Sequence, residues 1–199
     1  MLSAIAIGIV TGMALIVAIG AQNAFILRQG LRREHVAVIV TIAIVSDVSL
    51  ILAGVAGIGA IISRAPETVD IVRWFGVAFL TWYGLSSLWR AFKAESLDPG
   101  NSAPMSRRGA VTRIMALTWL NPHVYLDTVL LLGSIGNQHG DDRWWFALGA
   151  AIGSTVWFSA LGFGAQYANR WLRSERSWKI LEIGIGFTML AVAVQLALM

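Results

Sequence analysis

Long apolar runs, separated by short clusters of charge or of Pro and Gly, set the pattern of this chain. Six runs, near residues 2–27, 36–62, 70–92, 112–135, 143–168 and 178–198, are each long enough to cross a bilayer as a helix, which takes about 20 residues. None alternates in the manner of a barrel strand, and backbone groups in lipid must be bonded within their own segment, so helices are predicted throughout. The one sizeable polar interval, 93–112 (KAESLDPGNSAPMSRRGAVT), reads as a flexible linker between residues 1–92 and 113–199. The first run carries no cation before Arg28 and is predicted to be a retained span, since a secretory signal would begin with a basic region.

Composition agrees with this pattern. Hydrophobic residues make up 57% of the 199 positions and charged residues 13%, against about 25% charged in soluble domains. The absence of cysteine excludes disulfides, thiolate metal sites and a thiol nucleophile. A net charge of +4 would suggest nucleic acid in a soluble protein, but here the cations cluster between apolar runs and report topology instead. Arg28, Arg32 and Arg33 follow the first run, and Arg90, Lys93, Arg107, Arg108 and Arg113 lie around the linker. Arg170, Arg173, Arg176 and Lys179 separate the last two runs, which leaves only Arg64, Arg73 and Arg143 of the fifteen cations for the other face. The crowded face is predicted to be cytoplasmic and both termini to lie outside, with a five-span alternative if one segment is re-entrant.

The two halves echo one another. At an offset of 108 residues Ser46, Val48, Gly54, Gly76 and Phe79 fall on Ser154, Val156, Gly162, Gly184 and Phe187; at an offset of 101, GAQN (20–23) falls opposite NPHV (121–124). Three spans per half make the halves inverted in the membrane, an arrangement that points to alternating access about a midplane site built from interrupted helices. The predicted fold is therefore all-α and polytopic, two inverted three-helix repeats with spans 1 and 4 interrupted.

Within these runs a few residues are expensive. An Asp at the centre of a spanning helix costs about 2.5–3.5 kcal/mol, and such groups mark substrate pathways by default. Asp47 and Asp127 both lie near mid-depth, and no Lys or Arg lies deep enough to neutralise the pair, so a cation from outside the chain is the economical partner. Arg73 is better placed for a local pair with Asp70. Pro122 removes a helix donor and opens the backbone near 119–121, exposing carbonyls that suit an ammonium and a new N-terminus that suits a carboxylate. Asn121 is predicted to cap the restarted helix, from which His123 and Asp127, four residues apart, face one way. In span 1, Gly20 permits unwinding, and Gln22 and Asn23 bring amide donors and acceptors into an apolar run. Trp119 and Tyr125 flank the second break and are candidates to stack on a cation. Trp82, Tyr83, Trp89, Trp144, Trp145, Trp171 and Trp178 fit an interfacial belt, and Glu182 is expected to pair with Lys179 or to snorkel.

Together, GAQNAFILRQGLRREHV (20–36), SDVSLILAG (46–54), RWFGVAFLTWYG (73–84), TWLNPHVYLDTVLLLG (118–133) and VWFSALGFGA (156–165) resemble the LysE/ArgO family of bacterial basic amino acid exporters along nearly the whole chain. Ala21 stands where many members of that family have Pro. The resemblance implies export of L-lysine and L-arginine across the cytoplasmic membrane, driven by protons or by the membrane potential. It also implies that Asp47 and Asp127 are the acidic pair, with Gln22, Asn23 and Asn121 in the interrupted segments. On this reading the Asp pair holds the substrate's cationic side chain, and one of the two also carries a counter-transported proton, so that substrate and proton compete. No cofactor, catalytic group or nucleic acid is expected, and a homodimer is left open. The competing classes are a divalent-metal exporter using His123, Asp127 and Asp47, a neutral amino acid exporter of the same superfamily, and an intramembrane enzyme, for which no nucleophile or cofactor motif accompanies the Asp pair.

Overall fold

The structure, a computed structural model, describes residues 1–17, 20–58, 66–92, 105–168 and 175–198, and every regular element among them is helical. In chain order these are α1 (Leu2–Ile16), α2 (Ala21–Arg32), α3 (Val36–Val55), α4 (Pro66–Phe92) and α5 (Arg107–Trp119). There follows α6, built from the turn Pro122–Val124, a π-helix Tyr125–Leu132 and the turn Gly133–Asn137. A 3₁₀ turn, Gly140–Asp142, then leads to α7 (Arg143–Ala168) and α8 (Glu175–Ala197).

Among the described residues, Val36–Val55, Gly140–Tyr167 and Lys179–Ala197 are long and apolar enough to cross a membrane. The pair α1 and α2, bent by 84°, adds a fourth crossing if counted as one. The first predicted run is thus two helices at nearly a right angle, and the fourth is divided between α5 and α6. Helix α3 stops at Val55, short of the expected 62, α4 begins at Pro66 rather than 70 and α8 at Glu175 rather than 178, and two further boundaries differ for visible reasons. Arg28 and Arg32, placed by charge in a loop, are helical, because α2 continues until Glu34 N–H bonds to Gln29 C=O and Arg33 N–H to Gly30 C=O. Arg33 and His35 take the left-handed conformation in that tight elbow, with φ of 56° and 52°. Residues 107–112 of the expected linker are also helical, because the Ser106 hydroxyl caps Gly109 N–H at 3.1 Å and starts α5 early. Residues 93–104, Arg64, Arg170, Arg173 and Trp171, and the side chains of Asp70, Arg90, Arg176 and Trp178, lie outside the described residues.

Packing follows the small residues. Ala4, Gly8 and Gly12 form the buried stripe of α1 and lie against α7. A Cβ on Gly8 would collide with the Phe146 carbonyl oxygen and one on Gly149 with that of Ile5, so only glycine allows the two backbones to meet. Lipid tails are as apolar as the side chains themselves, so close backbone approach replaces the hydrophobic effect as the source of contact energy. On the other side of the bundle Gly54 of α3 and Gly133 of α6 meet, with a Gly133 Cβ only 2.6 Å from the Gly54 carbonyl carbon. That crossing holds the π-helix against α3. α4 packs chiefly on α8, where Gly84 and Gly186 face each other.

The shortest of these long elements sits deepest. Nine of the twelve residues of α2 are buried, and Phe25 and Ile26 pack among Ile39, Val40, Leu80, Leu117 and Met189. Tyr83, expected in the interfacial belt, is only 1% exposed and belongs to this core. Trp82 and Trp89 on the same helix do face outward.

Candidate substrate cavity at the two helix breaks

The break between α1 and α2 ends at Gly20, whose φ of −96° and ψ of 178° are extended backbone open to any residue. The conformational freedom of glycine is therefore not what makes the break. Asn23 holds it: its amide nitrogen donates to the Ile16 carbonyl at 2.6 Å, closing the end of α1, while its oxygen accepts from the Trp157 indole at 3.4 Å. The first-turn amides of a helix have no partner within it, and Gly20, which precedes α2, has no side chain to cap them. The Gln22 amide nitrogen, on the same turn, is buried and unbonded.

The second break, at Leu120–Asn121, is built as expected in one respect. Asn121, buried, accepts the His123 N–H on its side-chain oxygen at 3.2 Å and so caps the restarted helix. Pro122 is the first residue of that helix, where its missing N–H costs nothing. The exposed carbonyl of Trp119 is taken by the Tyr125 hydroxyl at 2.9 Å, and the Trp119 indole donates to Ser46 at 3.2 Å. Both aromatic residues are thus engaged in holding the break.

Between the breaks lies a cavity of about 330 Å³, within the range of small-molecule sites. Gly20, Gln22 and Asn23 line it from α2, Asp47 from α3, and Asn121, His123, Asp127 and Thr128 from the second break and α6. Phe158, Val192 and Gln195 complete the wall from α7 and α8. The tertiary structure therefore brings Gly20, Gln22, Asn23, Asp47, Asn121, His123 and Asp127 together around one cavity; Tyr125 is not among the residues lining it. Gln195 is exposed and lies one turn from the end of α8, so the cavity reaches the end of the bundle away from the Arg32–Arg33 elbow.

The two carboxylates occupy different surroundings. Asp47 is 5% exposed, one of its oxygens has no hydrogen-bond partner, and the Ser154 side chain of α7 faces it. Asp127 is half-open, with its carboxylate 3.8 Å from the His123 ring, too long for a hydrogen bond. It sits in the π-helix, a rare element that recurs at functional sites because its extra residue per turn re-aims side chains. No periodicity in the sequence announces that π-helix; Thr128 and Phe158 carried no signal of their own, and Ser154 entered only as the repeat counterpart of Ser46. Among the described residues there is no group of three His, Cys, Asp or Glu side chains able to hold a metal.

Chemically the cavity lining carries two unlike kinds of group. Asp47 and Asp127 are carboxylates, and the first turn of α2 with the Gln22 amide offers N–H donors and a positive dipole end. A small zwitterion with an additional cation matches that polarity.

Residues 13–199 match the family model described as LysE type translocator. The candidate amino-acid transporter Rv0488 of Mycobacterium tuberculosis (strain ATCC 25618 / H37Rv) is 44% identical over 182 residues, covering 92% of this chain and 90% of that protein. The arginine exporter protein ArgO of Serratia proteamaculans (strain 568) is 41% identical over 192 residues, covering 96% and 94%. No solved structure matches.

Proposed function

This chain belongs to the LysE type translocator family, and from that premise we propose that it exports the basic amino acids L-arginine and L-lysine across the bacterial cytoplasmic membrane. The observation that carries the reading is the convergence of Asp47 and Asp127, from helices of different halves, on one cavity that also receives the open N-terminus of α2. Asp47 and Asp127 bind the guanidinium or ammonium group of the side chain. The α2 N-terminus and Gln22 hold the α-carboxylate, and Asn121 and His123 form the wall between. A neutral amino acid would leave a buried carboxylate unpaired, which is the basis of discrimination against it.

In this reading the chain has six spans, both termini outside, arranged as two inverted repeats. The packing pattern supports it: α1 and α2 pack on α7 as α5 and α6 pack on α3, and α4 packs on α8. Exchanging the first three spans for the last three reproduces that set of contacts. Alternating access moves one repeat against the other around the cavity, and return of a proton on an emptied aspartate couples the cycle to the membrane gradient.

The test is efflux from proteoliposomes loaded with labelled arginine, lysine or leucine, with pH and voltage gradients imposed separately. The reading requires arginine and lysine to leave and leucine to stay, and requires Asp47→Asn and Asp127→Asn each to slow this efflux while remaining folded. Leucine efflux equal to that of arginine would place the substrate among neutral amino acids.

A further inference from the structure

Asp47 and Asp127 attract any small cation and do not by themselves separate a guanidinium from an ammonium. An aromatic ring in the cavity wall does. Among the described residues lining the cavity, Phe158 of α7 is the only phenylalanine, tyrosine or tryptophan. Trp119 and Tyr125, which flank the second break, turn their polar atoms to Ser46 and to the Trp119 carbonyl, and neither lines the cavity.

Helix geometry sets the ring near the buried carboxylate. Ser154 faces Asp47, and Phe158 lies four residues further along the same helix, so the two side chains leave one face of α7 about 6 Å apart along its axis. A cation is attracted to an aromatic face from within about 6 Å of the ring centroid. One held by Asp47 therefore has the ring within reach. Phe158 is also on the inner side of Ser154, because α7 runs on to Gln166, whose carbonyl accepts from Arg33 of the elbow at 3.2 Å. With Gln195 at the open end of the cavity, the ring belongs to its floor.

That floor is fixed before any substrate arrives. Phe158 is only 3% exposed and packs in the cluster that contains Ala21, Ala24 and Phe25 of α2. The indole of the adjacent Trp157 donates to the Asn23 side-chain oxygen at 3.4 Å, tying this turn of α7 to the first break. Deeper still, Arg28 of α2 is paired with Glu182 of α8 at 2.8 Å, which holds two walls of the cavity together. A ring immobilised by packing loses no rotamer freedom on binding, so its attraction for a cation is not offset by ordering.

Ring and carboxylate together treat the two basic side chains differently. A guanidinium is planar and weakly hydrated, and it lies flat on a ring while its edge N–H groups still reach a carboxylate. An ammonium is a compact, strongly hydrated point charge that must shed water to reach the same surface. His123, the other ring in the lining, does not substitute, because an imidazole can take up a proton and then repels a cation. The face of a phenyl ring stays negative at every pH.

We propose that Phe158 is the platform beneath the substrate's cationic side chain and the residue that makes this cavity favour a guanidinium over an ammonium, hence arginine over lysine. This assignment rests on the reading of the chain as a basic amino acid exporter.

The experiment measures efflux from proteoliposomes that hold the full chain and are loaded with labelled arginine and lysine together, so that both fluxes come from the same folded molecules. Wild type is expected to favour arginine in kcat/KM by about fivefold. Phe158→Leu should abolish most of that ratio through a higher KM for arginine, with lysine changed by less than about twofold. Phe163→Leu, an exposed position on the same helix, should leave the ratio as it was. If Phe158→Leu does not fold, Phe158→Met fills similar space without a ring and carries the same expectation. No preference for arginine in the wild type, or equal losses for the two substrates in the variant, overturns the proposal. Efflux of neither amino acid by the wild type would place the failure in the exporter reading, and the platform is then tested by thermal unfolding in detergent. Methylguanidinium should raise the melting temperature of the wild type more than methylammonium does, and Phe158→Leu should remove the difference; equal shifts in the wild type overturn the proposal.

Discussion

Replacing Asp47 by Asn separates a transport role from a structural one, because the two predict opposite effects on stability. A carboxylate and a bound cation about 4 Å apart attract by roughly 4 kcal/mol at an effective dielectric of about 20, a ceiling near 10³-fold in affinity. The amide oxygen of Asn still accepts a hydrogen bond, roughly half as strong as a charge-assisted one. The expected loss in kcat/KM for arginine and lysine is therefore about 100-fold. Stability should move the other way. Asp47 is 5% exposed with one oxygen unbonded, and a mid-helix Asp costs about 2.5–3.5 kcal/mol on insertion scales, so removing its charge relieves a burden. Efflux from arginine-loaded proteoliposomes and thermal unfolding in detergent should show transport falling while Tm holds or rises. Efflux within about threefold of wild type would refute the site assignment. A fall in Tm that accounts for the lost activity would show that the carboxylate is a packing element.

Asp127→Asn should cost less, about tenfold in kcat/KM, because that carboxylate is half-open and water screens it; a loss as large as that of Asp47→Asn would show that the two contribute equally. Tyr125→Phe should lower stability by about 1 kcal/mol through the unbonded Trp119 carbonyl, while the KM for arginine stays nearly constant; a large rise in KM would return Tyr125 to the substrate. Gly8→Ala should destabilise by about 1–3 kcal/mol, since its Cβ meets the Phe146 carbonyl oxygen. Gly164→Ala, with open space around it, serves as the control in the same unfolding assay.

How far the site was legible in sequence varied with the kind of signal. Asp47, Asp127 and Pro122 announced themselves because each violates the rule of its surroundings, a charge or a missing donor within an apolar run. Asn121 followed from Pro122 through ordinary capping chemistry. Tyr125 was expected to stack on a substrate cation because an aromatic residue beside a break signals proximity; the tertiary structure adds that its hydroxyl is turned back to the Trp119 carbonyl, which no sequence pattern announced. Arg28 and Glu182 were read as interfacial charges because each lies within a turn or two of other cations. Their pairing joins positions 154 residues apart, a relation that no local window contains.

The apolar periodicity, the charge asymmetry and the two polar interruptions by themselves determined that this is a helical membrane chain with acidic groups inside. Those are one-dimensional properties, set by the cost of exposing backbone and charge to lipid. The tertiary structure decided that α2 is a buried half-helix, that Asp127 rides on a π-helix, and that both breaks open onto one cavity. Each of these depends on how closely helices approach at Gly8, Gly54, Gly133 and Gly149, where a single methyl group would force the backbones apart.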